Sequence, residues 1–177
     1  MKTLIVYSSR TGNTKQVGEA IAAALDGSGE SYEIHPIENA PAPASLEAFG
    51  LICLGYWVDK GLPDEKCRNY LAGLNGKKVA LFGTLGAWPD SDHARECIAK
   101  SEELARREGA NSVLGSFMCQ GKVDPKILEV MQKMAGDQHP MTPERIARIE
   151  EAKKHPDAED LRRAGEAFLG FVQAAKS

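Results

Sequence analysis

Near the start of the chain, the seven residues Ser8-Ser9-Arg10-Thr11-Gly12-Asn13-Thr14 concentrate polar groups in a pattern suited to holding an anion. They follow the apolar run Thr3 to Tyr7 and open a helical pattern that runs from Asn13 to Leu25, so they occupy a strand-to-helix turn. Such a turn gathers unpaired backbone N–H groups at a helix N-terminus, where the macrodipole favours negative charge. The hydroxyls of Ser9, Thr11 and Thr14 add donors around a phosphoryl group. Gly12 permits a backbone conformation, or a close approach, that a side chain would block. A capped helix start needs only one Ser, Thr or Asn. Here five of the seven positions carry hydroxyl or amide side chains, and a phosphate site is the better reading.

Elimination narrows the ligand. No Gly-x-Gly-x-x-Gly follows the first strand, which argues against a dinucleotide, and no Gly-x-x-x-x-Gly-Lys precedes Ser or Thr, which argues against a nucleoside triphosphate. No cysteine opens the Cys-x5-Arg pattern of a tyrosine phosphatase. A phosphate monoester remains.

The elements that position this turn alternate along the chain. Thr3 to Tyr7 predicts a strand buried on both faces, and Val17, Ile21, Ala24 and Leu25 form one helical stripe behind it. Strands are predicted over Ser31 to Ile37, Gly50 to Leu54, Lys78 to Phe82 and Val113 to Cys119. Helices are predicted over Asp64 to Leu74 and from about Asp92 to Glu108. This alternation predicts an α/β fold with a doubly wound, five-stranded parallel sheet and helices on both faces. The order 2-1-3-4-5 fits best because the phosphate turn places strand one in the interior, and ligands then bind at the carboxyl ends of strands one and three. Helical patterns continue over Asp124 to Ala135, Thr142 to Lys154 and Asp157 to Ala175. On the last of these, Leu161, Ala164, Phe168 and Phe171 form a stripe that should cover the sheet. The stretch from about Lys122 to Pro156 then reads as a helical insertion near the ligand end.

Composition sets outer limits. A chain of 177 residues suits one domain spanning 1–177. With 42% hydrophobic and 27% charged residues and a net charge of −3, it resembles an ordinary soluble protein, with neither nucleic acid nor a membrane as an expected partner. Apolar runs such as Leu51 to Leu54 and Val79 to Phe82 are too short to span a bilayer, and no cleavage pattern follows the first apolar stretch. A cytoplasmic protein is expected. Cys53, Cys67, Cys97 and Cys119 are widely separated, and Cys53 and Cys119 lie in strand-like runs where a free thiol packs as a small hydrophobe. Neither a disulfide framework nor a metal site is expected.

Ser9-Arg10-Thr11-Gly12-Asn13-Thr14, directly after the first strand, resembles the phosphate-binding signature of flavodoxins. The similarity in element order covers residues 1 to about 120 and extends to the final helix. It implies FMN as the cofactor, with those six residues around its phosphate and the loops after strands three and four walling its ring. Those loops are Gly55-Tyr56-Trp57-Val58-Asp59-Lys60-Gly61 and Gly83-Thr84-Leu85-Gly86-Ala87-Trp88-Pro89-Asp90, and they hold the chain's only two tryptophans. The implied ring contacts are Gly55, Tyr56, Trp57, Thr84, Leu85, Gly86 and Trp88. An indole stacks well on isoalloxazine, and apolar walls make negative charge on the reduced ring costly. In this family a peptide after strand three flips to meet a ring nitrogen of the half-reduced flavin, with Gly55 or Gly61 as candidates here.

Three departures stand out. Typical flavodoxins are far more acidic, which helps them dock on basic partners. The loop after strand four offers Trp88 where a tyrosine is usual, and the 122–156 insertion is absent from the shortest members. The loops and the tail segment His139-Pro140-Met141-Thr142-Pro143-Glu144-Arg145 are similar to a branch from anaerobic bacteria, some of which accompany flavin reductases acting on compounds such as bilirubin. Three functions stay open. One is an electron carrier delivering to a redox partner protein, such a reductase included. Another is an FMN-dependent NAD(P)H or quinone oxidoreductase whose insertion, with His139 and His155, covers the flavin. The third is a non-catalytic FMN-binding module. No catalytic residue is assigned.

Overall fold

The computed structural model describes residues 1–133 and 142–177. Its five long strands are β1 (Lys2–Tyr7), β2 (Tyr32–Pro36), β3 (Phe49–Asp59), β5 (Lys78–Leu85) and β6 (Ser112–Gln120). They lie in the order β2-β1-β3-β5-β6, every neighbouring pair parallel. This is the 2-1-3-4-5 winding that the alternating pattern predicts. One further strand, β4 (Leu62–Pro63), pairs antiparallel with the end of β3 and was not anticipated.

The period-two alternation of the strands sorts the core into two layers. Leu4, Val6, Ile52, Leu54, Tyr56, Val79 and Leu81 face α2 (Glu65–Gly73) and α3 (Asp92–Gly109), which supply Cys67, Leu71 and Ala105. Ile5, Leu51, Cys53, Ala80 and Phe82 face α1 (Asn13–Gly27) and α6 (Ala158–Lys176), which supply Val17, Ile21, Phe168 and Val172. Phe168 meets Phe82 edge-on at 5.6 Å, so the final helix does cover the sheet. All four cysteines are free and buried, with Cys53 and Cys119 in the α1–α6 layer as small hydrophobes. Burial pushes the Cys53 thiol upward, away from the reactive thiolate.

Two strands run further than their apolar runs suggest. β3 was expected to stop at Leu54 but continues to Asp59, where a two-residue turn at Lys60 (φ 50°) and Gly61 (φ 82°) reverses the chain into β4. Positive φ at both central residues matches the right-handed strand twist, which is why this hairpin can be so tight. β5 likewise passes Phe82 and ends at Leu85, each of its last residues paired to β6.

Beyond β6, α4 (Pro125–Lys133) and α5 (Pro143–Ala152) occupy the insertion before α6. The helix expected over Asp124 to Ala135 is seen up to Lys133, and its last two positions, with His139, lie outside the described residues. Thr142 caps α5 through the Arg145 N–H, with Pro143 in the first turn, and Asp157 and Asp160 form a reciprocal capping box on α6. Among the described residues, no helix is long and apolar enough to cross a membrane.

Candidate functional site

The turn leaving β1 is held on both sides. The Ser8 N–H donates to the Gly55 carbonyl at 2.9 Å, and the Ser8 hydroxyl donates to Asp64 Oδ1 at 2.8 Å. Asp64 is the N-cap of α2 and also accepts the Lys66 and Cys67 N–H groups. Its carboxyl is only 2% exposed, and burial pushes its pKa up against these hydrogen bonds. The turn is therefore braced by a buried acid on the opposite side of the chain's own path.

Gly12 stands at the N-cap of α1 with φ 92°, a left-handed conformation that only glycine adopts readily. It brings no side-chain cap, and the first turn of α1 carries no acidic residue. The Ser9 hydroxyl accepts the Lys15 N–H at 3.3 Å, a long contact one turn into the helix. The Thr14 hydroxyl lies 3.0 Å from that of Thr84, joining α1 to β5 below the turn. Asn13 donates through Nδ2 to the Lys122 carbonyl at 2.9 Å. Exposed Thr11 and the backbone of this first turn are thus the forward-facing part of the site.

A cleft opens in front of the turn. Arg10, Thr11, Asn13 and Thr14 line one part, Trp57 and Val58 of β3 and Thr84, Leu85 and Gly86 around the end of β5 line another. The rest comes from the stretch Gly121 to Asp124 and from Ile127 of α4. The Arg10 guanidinium lies 5.6 Å from the Trp57 ring centroid and donates through Nε to Asp124 Oδ2 at 2.7 Å. The Lys126 N–H and Arg10 together hold the Asp124 carboxyl below its ordinary range.

This donor set fits a phosphate monoester attached to a planar ring. A helix N-terminus with glycine at the N-cap and a hydroxyl-rich approach suits the phosphoryl group, and the half-exposed Trp57 at the same cleft suits the ring. Residues 4–169 match the family described as Flavodoxin domain. The chain belongs to the flavodoxin family. It is 32% identical over 165 residues to the flavodoxin-like domain-containing protein BilS of Clostridioides difficile, covering 91% of this chain and 90% of that one. With BilS of Clostridium symbiosum it shares 33% identity over 193 residues, covering 99% and 98% of the two chains. The fold also matches oxidised Flavodoxin 2 from Bacillus cereus with a TM-score of 0.64, at 19% identity over 98% of this chain and 99% of the other. The protein is thus a flavodoxin-type, flavin-binding redox protein.

Within this flavodoxin the expected site residues separate. Arg10, Thr11, Asn13, Thr14, Trp57, Thr84, Leu85 and Gly86 meet at the cleft, with Gly12 inside the turn and Ser9 beside it, lining an adjoining hollow with Asp64. Three of the expected ring residues are not among those lining the cleft. The Tyr56 side chain is 1% exposed and belongs to the α2–α3 core, because the strand alternation that turns Trp57 toward α1 turns Tyr56 away. Trp88 is 43% exposed and is not among the residues lining the cleft. Gly55 is a strand residue paired with Tyr7 and Phe82, and its carbonyl is held by the Ser8 N–H at 2.9 Å. Of the two candidate flipping glycines, only Gly61, at the hairpin turn with open space around it, retains that freedom.

An insertion at the ligand end was expected, but not that Val123, Asp124 and Ile127 are the residues of it that reach the cleft. They arrive through Lys122, whose N–H donates to the His155 carbonyl at 3.2 Å while its own carbonyl accepts from Asn13. His155 in turn lies 2.5 Å through Nδ1 from Asp160 Oδ2. Burial opposes charge on this ring, but the hydrogen bond and charge of Asp160, helped by Asp157 and Glu151, outweigh it and raise its pKa. A raised pKa in the folded state stabilises fully below the ordinary histidine value of about 6.5 and loses that stabilisation as pH climbs through the raised value. The thermal midpoint should therefore decline from pH 6 to 8, and His155→Gln should flatten that decline in a differential scanning experiment.

Proposed function

We propose that this flavodoxin binds FMN in the cleft and carries electrons to a redox partner protein in the cytoplasm, a flavin reductase being the partner class. The observation that carries this reading is the N-terminus of α1 at the Gly12 turn, where the N-cap residue brings no side chain, facing a cleft that also holds Trp57. Backbone N–H groups of the turn, with Ser9, Thr11 and Thr14, would hold the phosphate, and Arg10 and Asn13 would flank it. Trp57, Val58, Thr84, Leu85 and Gly86 would border the ring and exclude water from it. Arg10 covers the Trp57 face on which a ring would stack, so ring binding exchanges one partner of that indole for another. FMN, when bound, supplies a centre that accepts and releases electrons one or two at a time.

Titrating flavin-free protein with FMN and with riboflavin tests the cradle. Two charge-assisted hydrogen bonds to phosphate predict riboflavin binding weaker by about 1,000-fold. Equal affinities would remove the phosphate site from the account. Anaerobic reduction of the loaded protein, followed by absorbance, should then resolve two separate one-electron steps.

A second reading has an observation in its favour. Val123 and Ile127 of the insertion line both this cleft and an adjoining groove. That arrangement suits an FMN-dependent NAD(P)H or quinone oxidoreductase that takes its own substrate. Rapid NAD(P)H oxidation with no partner protein present would favour this enzyme over the carrier.

A further inference from the structure

Three lysines stand apart from the rest. Among the described residues, Lys60, Lys122 and Lys126 are exposed, and their ammonium groups neither pair with a carboxylate nor donate to a carbonyl. Every other lysine whose side chain is described does one or the other. The three surround one mouth. Lys122 lines the cleft, and Lys60 lines the groove that shares Val58 and Leu85 with it. The Lys126 N–H donates to Asp124 Oδ1 at 2.8 Å on the cleft wall. Asp124 is the only acid among the described residues lining either cavity, and Arg10 is its partner. On a chain of net charge −3, this end is a basic island. Uncompensated cations gathered in this way attract an approaching anionic surface.

The same end exposes apolar surface. Among the described residues the exposed large hydrophobic side chains are Met1 and three others: Trp88, Val130 and Ile146, at 43%, 54% and 46% exposure. Trp88 follows Gly86, which lines both cavities, by two positions. Val130 lies one turn of α4 beyond Lys126 and Ile127, and Ile127 lines the cleft. Ile146 lies one turn of α5 before Ile149, which lines the groove. A single exposed apolar residue needs no explanation, but these three belong to the segments that frame the mouth. Apolar side chains with cations at their rim have the composition of a protein-binding face. A nucleic-acid surface would instead carry an unbroken basic stripe tracking phosphates.

We propose that the face around the cleft mouth docks an acidic surface of a partner protein. Lys60, Lys122 and Lys126 meet the partner's carboxylates, and Trp88, Val130 and Ile146 supply apolar contact between them. The sign is the reverse of that in typical flavodoxins, whose acidity suits basic partners. Charge complementarity of this kind sets the rate and orientation of approach more than the final affinity, so the complex forms fast and is sensitive to salt. The inference rests on the carrier reading for what the partner does, while the docking contacts themselves need no flavin.

Amide shifts of the isotope-labelled, flavin-free full chain test the face, with an acidic plant-type ferredoxin as one probe and basic cytochrome c as the other. At about 20 mM salt, ferredoxin should shift the amides of Lys60, Lys122, Lys126 and Val130, and about 300 mM salt should abolish those shifts. Cytochrome c should leave the same amides in place. Lys60→Glu, Lys122→Glu and Lys126→Glu combined should weaken ferredoxin binding by about 30-fold, roughly threefold for each rim charge. The same reversals at Lys2, Lys100 and Lys176 change the net charge equally and should cost no more than about twofold. Val130→Ser should weaken ferredoxin by about threefold, which provides a second route if the reversed lysines disturb the fold. Absence of ferredoxin shifts, shifts on another face, equal losses in the two triple variants, or equal binding of cytochrome c here would each overturn the proposal. Tighter binding of duplex DNA or of phosphatidylserine vesicles than of ferredoxin at these lysines would also overturn it, making the face a general polyanion site. Repeating the titration with FMN added separates the two readings. Ferredoxin docking without FMN binding removes only the cofactor assignment, and FMN binding without ferredoxin docking removes only this face.

Discussion

Thr11→Asp should all but abolish FMN binding while leaving the flavin-free protein as stable as before, or slightly more stable. Thr11 is exposed at the lip of the turn, one residue before the N-cap of α1, and among the described residues its side chain has no hydrogen-bond partner that the substitution would remove. A carboxylate there faces the positive end of the helix, an interaction of about 0.3–1 kcal/mol in favour of the fold. A bound phosphate would meet the same carboxylate as a like charge. At a separation of about 4 Å and an effective dielectric of about 20, each unit of charge costs about 4 kcal/mol, or about 1,000-fold in affinity. The two effects have opposite signs, and that makes the substitution decisive. If the turn merely capped a helix, aspartate would be a benign or helpful change by every measure. Thr11→Asn, neutral and of similar size, should lose only the hydroxyl's contribution of about tenfold. Equilibrium titration of FMN and thermal unfolding of the flavin-free proteins give the two readouts. An aspartate variant that binds FMN within tenfold of the wild type would exclude a phosphate at this turn.

The layer order of the fold was legible because its signals are local and strongly periodic. Thr3 to Tyr7 is short and wholly apolar, and Val17, Ile21 and Leu25 recur at helical spacing, so the strand, the turn and the helix that frame the site could each be placed from sequence. Strand ends were less visible. Gly55 to Asp59 looked like a loop because it mixes glycine, aromatics and an acid, yet it continues β3. The Lys60-Gly61 reversal lacks the asparagine or aspartate that usually announces such a hairpin. Missing that extension concealed the alternation of Tyr56 and Trp57, and with it the fact that only one ring can reach the cleft. The contact between Arg10 and Asp124 spans 114 residues of sequence and depends on where the insertion folds back. No local pattern encodes that return. What a reader of the sequence could see was a cradle. Which residues of the insertion close it had to be seen in three dimensions.

The closure also explains why a single arginine in the phosphate turn has two neighbours of different kinds. Arg10 stacks on Trp57 and pairs with Asp124, so β3, the turn and α4 meet through one side chain. The pair is half-exposed, and an ion pair of that sort contributes little to stability. Its consequence is positional: it keeps a cation beside the cleft and holds the start of α4 against the turn. The segment that provides the wall of the groove is thereby tied to the residues that would hold the phosphate.

Asp64→Ala should produce the largest loss of stability of any single polar substitution near the site, about 3 kcal/mol. Removing the carboxylate takes away the cap of α2, worth about 1 kcal/mol, and leaves the Ser8 hydroxyl buried without its acceptor, a further 1–3 kcal/mol. For a chain of this size the midpoint should drop by about 6–12 °C. Asp64→Asn should behave differently, because its amide oxygen can still accept from Ser8, Lys66 and Cys67. The comparison with pH fixes the sign. Burial raises the Asp64 pKa, ahead of the hydrogen bonds that act to lower it, so the folded protein binds this proton more tightly than the unfolded chain does. The stability linked to it is present in full below the ordinary aspartate value of about 3.9 and is lost as pH rises through the raised value. Asparagine does not titrate. The stability of Asp64→Asn relative to wild type should therefore improve between pH 4 and pH 7, whereas Asp64→Ala should remain far below both proteins at each pH. A relative stability of Asp64→Asn that falls over that interval would mean that the hydrogen bonds to the ionised carboxylate outweigh its burial. The brace behind the phosphate turn would then be a charged cap in the ordinary sense, and not an acid held against its preference to keep the first strand and α2 in register.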